Sequence, residues 1–192
     1  MLHEEEPPAA RGLPADRVTL GSVSFFLMRS GDRIAVRLRD QNSPLRTRFT
    51  GPKWFGANDA FRVSARFEPY PSPKRVRVPN LLGDLDPFDA TGLVAFTLNG
   101  MTYRLEVYDV GAGDEPLFIV FKDLTSGRET YPAARFLNAP RPNAKRETVL
   151  DFNKAYNPPC AYNPYTTFPL PTAQNQLKVR IEAGELDYHK QH

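Results

Sequence analysis

The stretch Val149–Glu185 (VLDFNKAYNPPCAYNPYTTFPLPTAQNQLKVRIEAGE) decides the fold of this chain more than any other. Its two ends are typical of strands, and the segment between them is rich in proline, asparagine and tyrosine. Connections of this length are uncommon in compact domains and are either disordered or functional. Disordered segments are poor in aromatic residues, and this one is not. The sequence therefore predicts an ordered strap over residues 151–171 that packs across a β-core.

Short strands separated by turns account for most of the remaining sequence. The clearest hairpin joins Leu93–Leu98 to Met101–Tyr108, because Asn99-Gly100 readily adopts the positive φ angles of a type I′ turn. This spacing predicts an all-β fold, either an antiparallel sandwich or a partly closed β-barrel, with the strap near the C-terminus. The other predicted strands are Val18–Met28, Arg33–Arg39, Leu45–Thr50, Phe61–Pro69, Lys74–Val78, Leu117–Phe121, Arg128–Tyr131, Val149–Phe152 and Leu177–Ile181, with loops at residues 71–73 and 83–89 and a single turn at Ala133–Asn138.

The chain is poor in the residues that catalysis and metal binding most often use. It has one cysteine, Cys160, and its three histidines, His3, His189 and His192, all lie near a terminus. An intrachain disulfide and a multi-cysteine zinc site are therefore excluded, and a Ser-His-Asp or Cys-His mechanism would lack a histidine inside the core. We predict no metal site and no cofactor. Cys160 follows two prolines without a nearby histidine, so we expect a buried, inert thiol.

Basic residues outnumber acidic ones, which gives a net charge of +3, and they concentrate in Arg29–Lys53 and Lys74–Arg77. Contacts with phosphates would use such residues. However, Arg37 and Arg39 alternate with apolar residues, which is typical of the solvated face of a strand. We therefore predict no nucleic-acid partner. Since no apolar run is long enough to cross a bilayer, we predict no membrane partner either.

The N-terminus differs from the rest of the chain in composition. It is acidic and proline-rich, and it lacks the apolar stretch of a secretory signal. We predict a disordered arm over residues 1–16, a single β-rich domain over residues 17–186 and a flexible tail over residues 187–192. The protein is expected in the cytoplasm.

Several motifs recur in one known family: Gly31-Asp32-Arg33, Val36–Asp40, Ser43-Pro44, Phe61–Val63, Phe67–Tyr70, Val78–Asp84, Phe96–Gly100, Tyr103–Leu105, Lys122–Gly127, Tyr131–Phe136 and LDFNKAYNPPCAYNPYTTFPLP. From about Leu20 to Glu185, the chain resembles the bacterial family filed as the domain of unknown function 1684 (DUF1684). Its members usually carry a further N-terminal region, so the resemblance implies that an edge or a wall of the sheet is missing here. This chain has Phe168 where the family often has cysteine, which argues against a role that needs two thiols in the strap. The family name implies no activity.

The strap and the residues expected around it carry the candidate binding side chains. Pockets for small molecules use a few polar groups on an apolar wall, and an unpaired arginine in a cavity suits a carboxylate or a phosphate. The same asparagines are also common backbone caps in irregular segments, and an arginine paired with Asp151 would be an ordinary structural ion pair. Both interpretations stay open. The candidate ligand-binding residues are Arg46, Arg48, Tyr131, Arg135, Asn153, Tyr156, Asn157, Asn163 and Tyr165.

Three functions are compatible with these features. The first is the binding of a small polar or mixed-polarity molecule in a pocket beside the strap. The second is a structural or interaction role in which the strap only seals the core. The third is a histidine-independent hydrolase or isomerase with Asp151 and Tyr156 as its acid–base pair, which requires a carboxyl pKa raised by burial. The sequence also allows a homodimer, because an exposed sheet edge can pair with another chain.

Overall fold

The computed structural model describes residues 17–30, 33–111 and 114–190. The chain divides into two compact units between Gly51 and Pro52. The predicted arm over residues 1–16 and the last two residues of the predicted tail lie outside the described part. A single β-rich domain over residues 17–186 stays a prediction, and the two units are considered in turn.

The first unit contains a three-stranded antiparallel sheet: β1 (Val18–Leu20), β2 (Val23–Ser30) and β3 (Arg33–Asp40), in that order. The prediction of one strand over Val18–Met28 was wrong, because a turn at Gly21, whose φ is 57°, divides it into β1 and β2. The predicted strand Leu45–Thr50 was also wrong. The chain forms a one-turn helix there, α1 (Pro44–Thr47), and Pro44 suits the first helical turn.

The second unit is built on one six-stranded antiparallel sheet that curls into a half-barrel. The prediction of an all-β, antiparallel fold is thereby confirmed. The order of the strands across the sheet is β8-β7-β6-β5-β4-β9. The strands are β4 (Arg62–Pro79), β5 (Leu85–Leu98), β6 (Met101–Asp109), β7 (Leu117–Phe121), β8 (Arg135–Ala139) and β9 (Glu147–Asp151). Short 3₁₀ turns occur at Asp59–Phe61, Phe152–Lys154, Pro159–Ala161, Ala173–Asn175 and Tyr188–Lys190.

The hairpin between β5 and β6 forms as the sequence predicts. Leu98 pairs with Met101, and the two residues between them have positive φ angles, 52° at Asn99 and 76° at Gly100. These are the angles that a two-residue type I′ turn requires. β7 has the predicted bounds, and β9 overlaps the predicted strand Val149–Phe152.

The two predicted loops are shorter than expected because strands run through them. β4 continues across Pro71 and Pro73, and its register with β5 shifts between Pro69 and Lys74. Such a bulge accommodates residues that donate no ladder hydrogen bond. β5 already begins at Leu85, inside the predicted loop over residues 83–89.

The region after β7 was predicted least well. Arg128–Tyr131 forms a turn, whereas Ala133–Asn138, predicted as a single turn, contributes most of β8. Leu177–Ile181 is not a strand, although Leu177 donates a backbone hydrogen bond to Lys122. Residues 135–137 are buried on both sides, so this part of β8 lacks the polar–apolar alternation that marks a half-exposed strand. Residues 177–181 do alternate, with Leu177, Val179 and Ile181 buried, but they form no ladder with any strand of the described part.

Two apolar clusters cover the two faces of the sheet. On one side, Val94, Phe96 and Leu105 pack with the irregular segment 177–183, and this side is called the inner face. On the other side, the outer face, Val78, Tyr108 and Val120 pack with strap residues such as Phe168. The prediction of an ordered strap packed across a β-core is therefore confirmed.

Asn175 fills a gap between two strands of this sheet. β6 and β7 are paired only at Tyr108 and Phe118. Beyond that pair, the fully buried carboxamide of Asn175 accepts a hydrogen bond from the Glu106 N–H and donates to the carbonyls of Glu106 and Val120. One side chain thus satisfies backbone groups that would otherwise lose their partners.

Candidate functional site

The strap is fixed to the sheet by backbone hydrogen bonds at both of its ends. Near its start, Tyr156 and Phe136 of β8 exchange two bonds of 2.8 and 2.9 Å. Near its end, the Leu170 N–H donates to the Pro79 carbonyl over 2.7 Å, and Leu81 donates to Phe168. The strap therefore crosses the outer face from the edge strand β8 to the end of β4.

Aromatic rings pack in the space beneath the strap. The ring of Phe136 lies 6.1 Å from that of Phe168 and 5.6 Å from that of Tyr156, both in edge-to-face geometry. Tyr131 also packs edge-to-face on Phe168, and burial raises the pKa of the Tyr131 hydroxyl. Cys160 is buried among these rings, as predicted, at 6% exposure. This part of the outer face is an apolar core.

Arg135 is the most deeply buried of the predicted binding residues. Its guanidinium is 1% exposed and lies 3.2 Å from the carboxylate of Asp123, which is wholly buried. It also donates to the carbonyls of Ile181 and Ala183. Burial lowers the pKa of Arg135, and the neighbouring Asp123 opposes this effect. The arginine therefore has a structural partner, and that partner is Asp123 instead of Asp151.

The carboxylate of Glu185 accepts hydrogen bonds from polar groups at the start of the strap. Its Oε2 accepts hydrogen bonds from the Asn157 N–H at 2.6 Å and from the Tyr162 hydroxyl at 2.5 Å. The Asn157 amide also donates to the Leu186 carbonyl. Burial raises the pKa of Tyr162, and the bond to Glu185 raises it further. The sequence analysis named Asn157 but missed the glutamate around which it is organised.

The remaining predicted strap residues cap turns. Asp151 accepts from the Asn153 N–H and side-chain amide, and Asn153 exchanges hydrogen bonds with the backbone of Asn58. Asn163 accepts from the Tyr165 N–H, and the Tyr165 side chain is 87% exposed. These are the capping roles that irregular segments require, and a role in ligand binding stays a prediction for all of them.

Two further predictions concern Arg46 and Arg48, and the pair of Asp151 and Tyr156. Arg46 and Arg48 lie in the first unit at the surface, where Arg46 donates to the Gln41 carbonyl. Among the hydrogen bonds of the described residues, none joins Asp151 to Tyr156, the pair that the enzyme hypothesis requires. Burial raises the pKa of Tyr156, which keeps its hydroxyl protonated.

Another buried carboxylate, Glu106, lies beside the far end of the strap. It accepts from the Tyr70 hydroxyl at 2.7 Å and from the Tyr108 hydroxyl at 3.3 Å. Burial and the bond to Glu106 raise the pKa of Tyr70 to about 12, and that of Tyr108 rises for the same reasons. Both phenols are therefore permanent donors at neutral pH, which suits a fixed hydrogen-bond network better than proton transfer.

The candidate site is an open cleft on the part of the outer face that the strap leaves uncovered. Its volume is about 570 Å³, within the range of small-molecule sites. Ala95 lies directly between Arg66 of β4 and Arg104 of β6 in the sheet register. Because its side chain is so short, it leaves a hollow between longer neighbours. The lining residues are Val63, Ser64, Ala65, Arg66, Ala95, Phe96, Thr97, Thr102 and Glu147.

The charged side chains in and beside the cleft differ in whether they already have partners. Arg104, which borders the cleft, is held by Glu68 through two hydrogen bonds of 2.9 and 3.3 Å. In the cleft, Glu147 accepts from the side chain of Asn143. The side chain of Arg66, in contrast, has no hydrogen bond or ion pair to any described residue. The cleft therefore presents an uncommitted guanidinium among the hydroxyls of exposed Ser64, Thr97 and Thr102.

The sequence analysis missed this cleft. The alternation of Arg62, Ser64 and Arg66 with apolar residues correctly places all three on the outer face of a strand. It does not show that β9 and the end of β5 border them, because those contacts are non-local. Small residues in a row across the sheet are the missing signal, and they become visible only with the register.

The described residues limit other kinds of site. No three His, Cys, Asp or Glu side chains in ranges 17–30, 33–111 and 114–190 gather closely enough to hold a metal ion. Within the same ranges, no helix has the length and apolar character to span a membrane.

Comparison with known proteins places the chain in a family. None of the curated proteins matches it. Among solved structures, it is similar to the solution NMR structure of an uncharacterised protein from Haloarcula marismortui, with 28% identity and a TM-score of 0.61, covering 73% of this chain and 78% of that one. A family model described as "Protein of unknown function (DUF1684)" matches residues 47–186, which include the whole six-stranded sheet, the strap and the cleft. The chain belongs to the DUF1684 family.

Proposed function

We propose that the chain binds a small polar molecule with an anionic group in the cleft at the β9 side of the sheet. The observation that carries this proposal is the unpaired Arg66 in a hollow of about 570 Å³. A planar guanidinium matches a carboxylate or a phosphate with two parallel hydrogen bonds. The cleft adjoins β9, which leads directly into the strap at Asp151.

Charge in the cleft narrows the class of ligand. Arg66 pairs with Glu147 of β9 in the sheet register, so one positive and one negative group face the same hollow. Hydroxyl groups of Thr97 and Thr102 add donors and acceptors. This arrangement favours a mixed-polarity molecule that offers an anion to Arg66 and a donor group to Glu147, such as an amino acid or an amino-sugar phosphate.

The test is ligand screening by backbone amide NMR with inorganic phosphate, small carboxylates and free amino acids as probes. Amides of β4, β5 and β9 should shift on titration. A charge-assisted bond of this kind contributes about 1.5–3 kcal/mol, so Arg66→Ala should weaken binding by about 10- to 100-fold. Arg62→Ala is the matched control, since Arg62 is exposed on the same face of the same strand but does not line the cleft.

Binding that survives Arg66→Ala, or a probe set that shifts none of these amides, would contradict the proposal.

A second candidate function concerns the strap, which would act as a structural seal for the outer face. The observation in favour is that its polar side chains bond to nearby backbone, as Asn153 does with Asn58. Asn153→Ala should then lower the melting temperature of the protein and leave the affinity for any cleft ligand unchanged. A loss of affinity in this variant at unchanged melting temperature would instead favour a binding role for the strap.

A further inference from the structure

One face of the three-stranded sheet in the first unit is apolar and exposed. Residues that pair directly across an antiparallel sheet share a face. In β3 that face carries Ile34, Val36 and Leu38, which are 63%, 61% and 63% exposed. Their partners in β2 are also apolar at Leu27 and Phe25, and in β1 Leu20 is 80% exposed. A sheet normally buries such a face against a second layer.

The opposite face of the same sheet has a different character. Arg37 and Arg39 project from it, and the Arg39 guanidinium lies 5.1 Å from the centre of the buried Phe26 ring. The alternation along β3 is therefore that of a strand with one wet face and one face made for burial. The face with Ile34, Val36 and Leu38 has the composition of a buried face, yet these three side chains are exposed.

We propose that this apolar face is a dimer interface, on which the same face of a second copy of the chain packs. The two sheets would lie about 10 Å apart, with strands crossing at roughly 30°, as in a β-sandwich. A twofold axis makes the contact self-complementary, so each apolar row meets an identical one. The pair of sheets then has the two layers of a sandwich.

The area of the face supports a second copy as the occupant. β2 and β3 have eight residues each and β1 has three. With a rise of about 3.3 Å per residue and strands about 4.8 Å apart, their footprint is roughly 300 Å². Protruding side chains such as Leu20 and Ile34 present more accessible surface than this flat footprint. Two copies would therefore remove on the order of 1,000 Å², which is the lower limit for a specific interface.

The composition of residues 1–16 also bears on what could cover this face. The N-terminal residues 1–16 contain three glutamates and three prolines but few large apolar residues. Residues 1–16 therefore offer few apolar side chains to pack on this face, whereas the same face of a second copy offers a complete apolar row.

The first test is the mass of the full chain in solution by light scattering and sedimentation, over a range of concentrations. We expect a monomer–dimer equilibrium. Val36→Glu places a carboxylate at the centre of the interface in both copies and should raise the dimer dissociation constant by about 100-fold or more. Arg37→Glu introduces the same charge one residue away on the opposite face and should leave the dimer intact. A chain that is monomeric throughout, or equal effects of the two variants, would overturn the proposal.

A second test does not depend on how well Val36→Glu folds. Residues near a twofold axis approach their own copies, so Val36→Cys should cross-link into dimers with a short bis-maleimide. Arg37→Cys should not, and the buried Cys160 provides a silent background. Equal cross-linking of the two cysteine variants would also refute a dimer through the apolar face.

Discussion

The buried pair of Arg135 and Asp123 makes the sharpest prediction about stability. Arg135→Met keeps the length of the side chain and removes the charge. The guanidinium is 1% exposed and the Asp123 side chain is 0% exposed, so the variant leaves an unpaired carboxylate in the core. The carbonyl of Ile181 also loses its donor. Breaking a buried pair on one side costs about 3–5 kcal/mol, a large share of the roughly 5–15 kcal/mol that stabilises a typical domain.

Chemical unfolding followed by circular dichroism and by the fluorescence of Trp54 measures this loss. With a urea slope of about 1–3 kcal/mol per molar, Arg135→Met should lower the midpoint by about 2 M. Arg141→Met is the matched control, because Arg141 bonds to Asp109 over 2.8 Å with both side chains about one-third exposed. Exposed pairs contribute about 0–1 kcal/mol, so this control should shift the midpoint little.

The carboxylate of Asp123 also accepts hydrogen bonds from the Thr125 hydroxyl and the Ile181 N–H. Replacing Asp123 would therefore remove these bonds together with the charge, so the substitution of Arg135 is the cleaner perturbation. If Arg135→Met were no more destabilising than Arg141→Met, the interpretation of Asp123 as a charge held by Arg135 would be wrong.

Three other perturbations test different parts of the fold. Gly184→Ala should destabilise the protein by about 2–4 kcal/mol, because φ is +82° there and the added Cβ would lie 2.5 Å from the Ala155 carbonyl oxygen; unfolding in urea measures it, and an unaffected midpoint would contradict it. Asn175→Ala leaves the N–H and carbonyl of Glu106 without partners and should cost about 2–4 kcal/mol, with faster hydrogen exchange in β6 as the readout. The pKa of Tyr70 is raised from 10.0 to about 12, so the contribution of this residue to stability is fully present below pH 10 and is lost as the pH rises towards 12. Between these pH values, the free energy of unfolding should therefore depend less on pH in Tyr70→Phe than in the unmodified chain. Identical pH dependence of the two free energies would refute the assignment.

The sequence predicted the strands and turns that are determined by residues close together in the chain. The Asn99-Gly100 hairpin follows from two residues that tolerate positive φ, and β7 follows from a short apolar run. β8 was missed because its side chains are buried on both faces of the sheet, with Leu137 in the cluster of one face and Phe136 in the cluster of the other. No polar alternation remains in such a strand to indicate its period.

The polar network was harder to predict than the strands. Glu106 and Glu185 stand in the sequence like any solvated carboxylates, and only the fold buries each of them beside tyrosine hydroxyls. Arg135 was named as a binding candidate on its type alone. Its partner Asp123 lies on a turn after β7 and is brought to it by the pairing of β7 with β8. Contacts of this kind depend on register, which local sequence does not specify.

The position of the cleft follows from how far the strap reaches. The registers of β4 and β5 shift between Pro69 and Lys74, and those of β5 and β6 shift between Ala90 and Gly92. On one side of these shifts, the strap covers the outer face with Phe168 and its neighbours. On the other side the same strands carry Ser64, Ala95 and Thr97, and no strap residue lines the cleft. In the strap, Asn153 and Asn163 are engaged in capping bonds, whereas the side chain of Arg66 in the uncovered half of the face has no partner among the described residues, so this half is where we expect an outside molecule to bind.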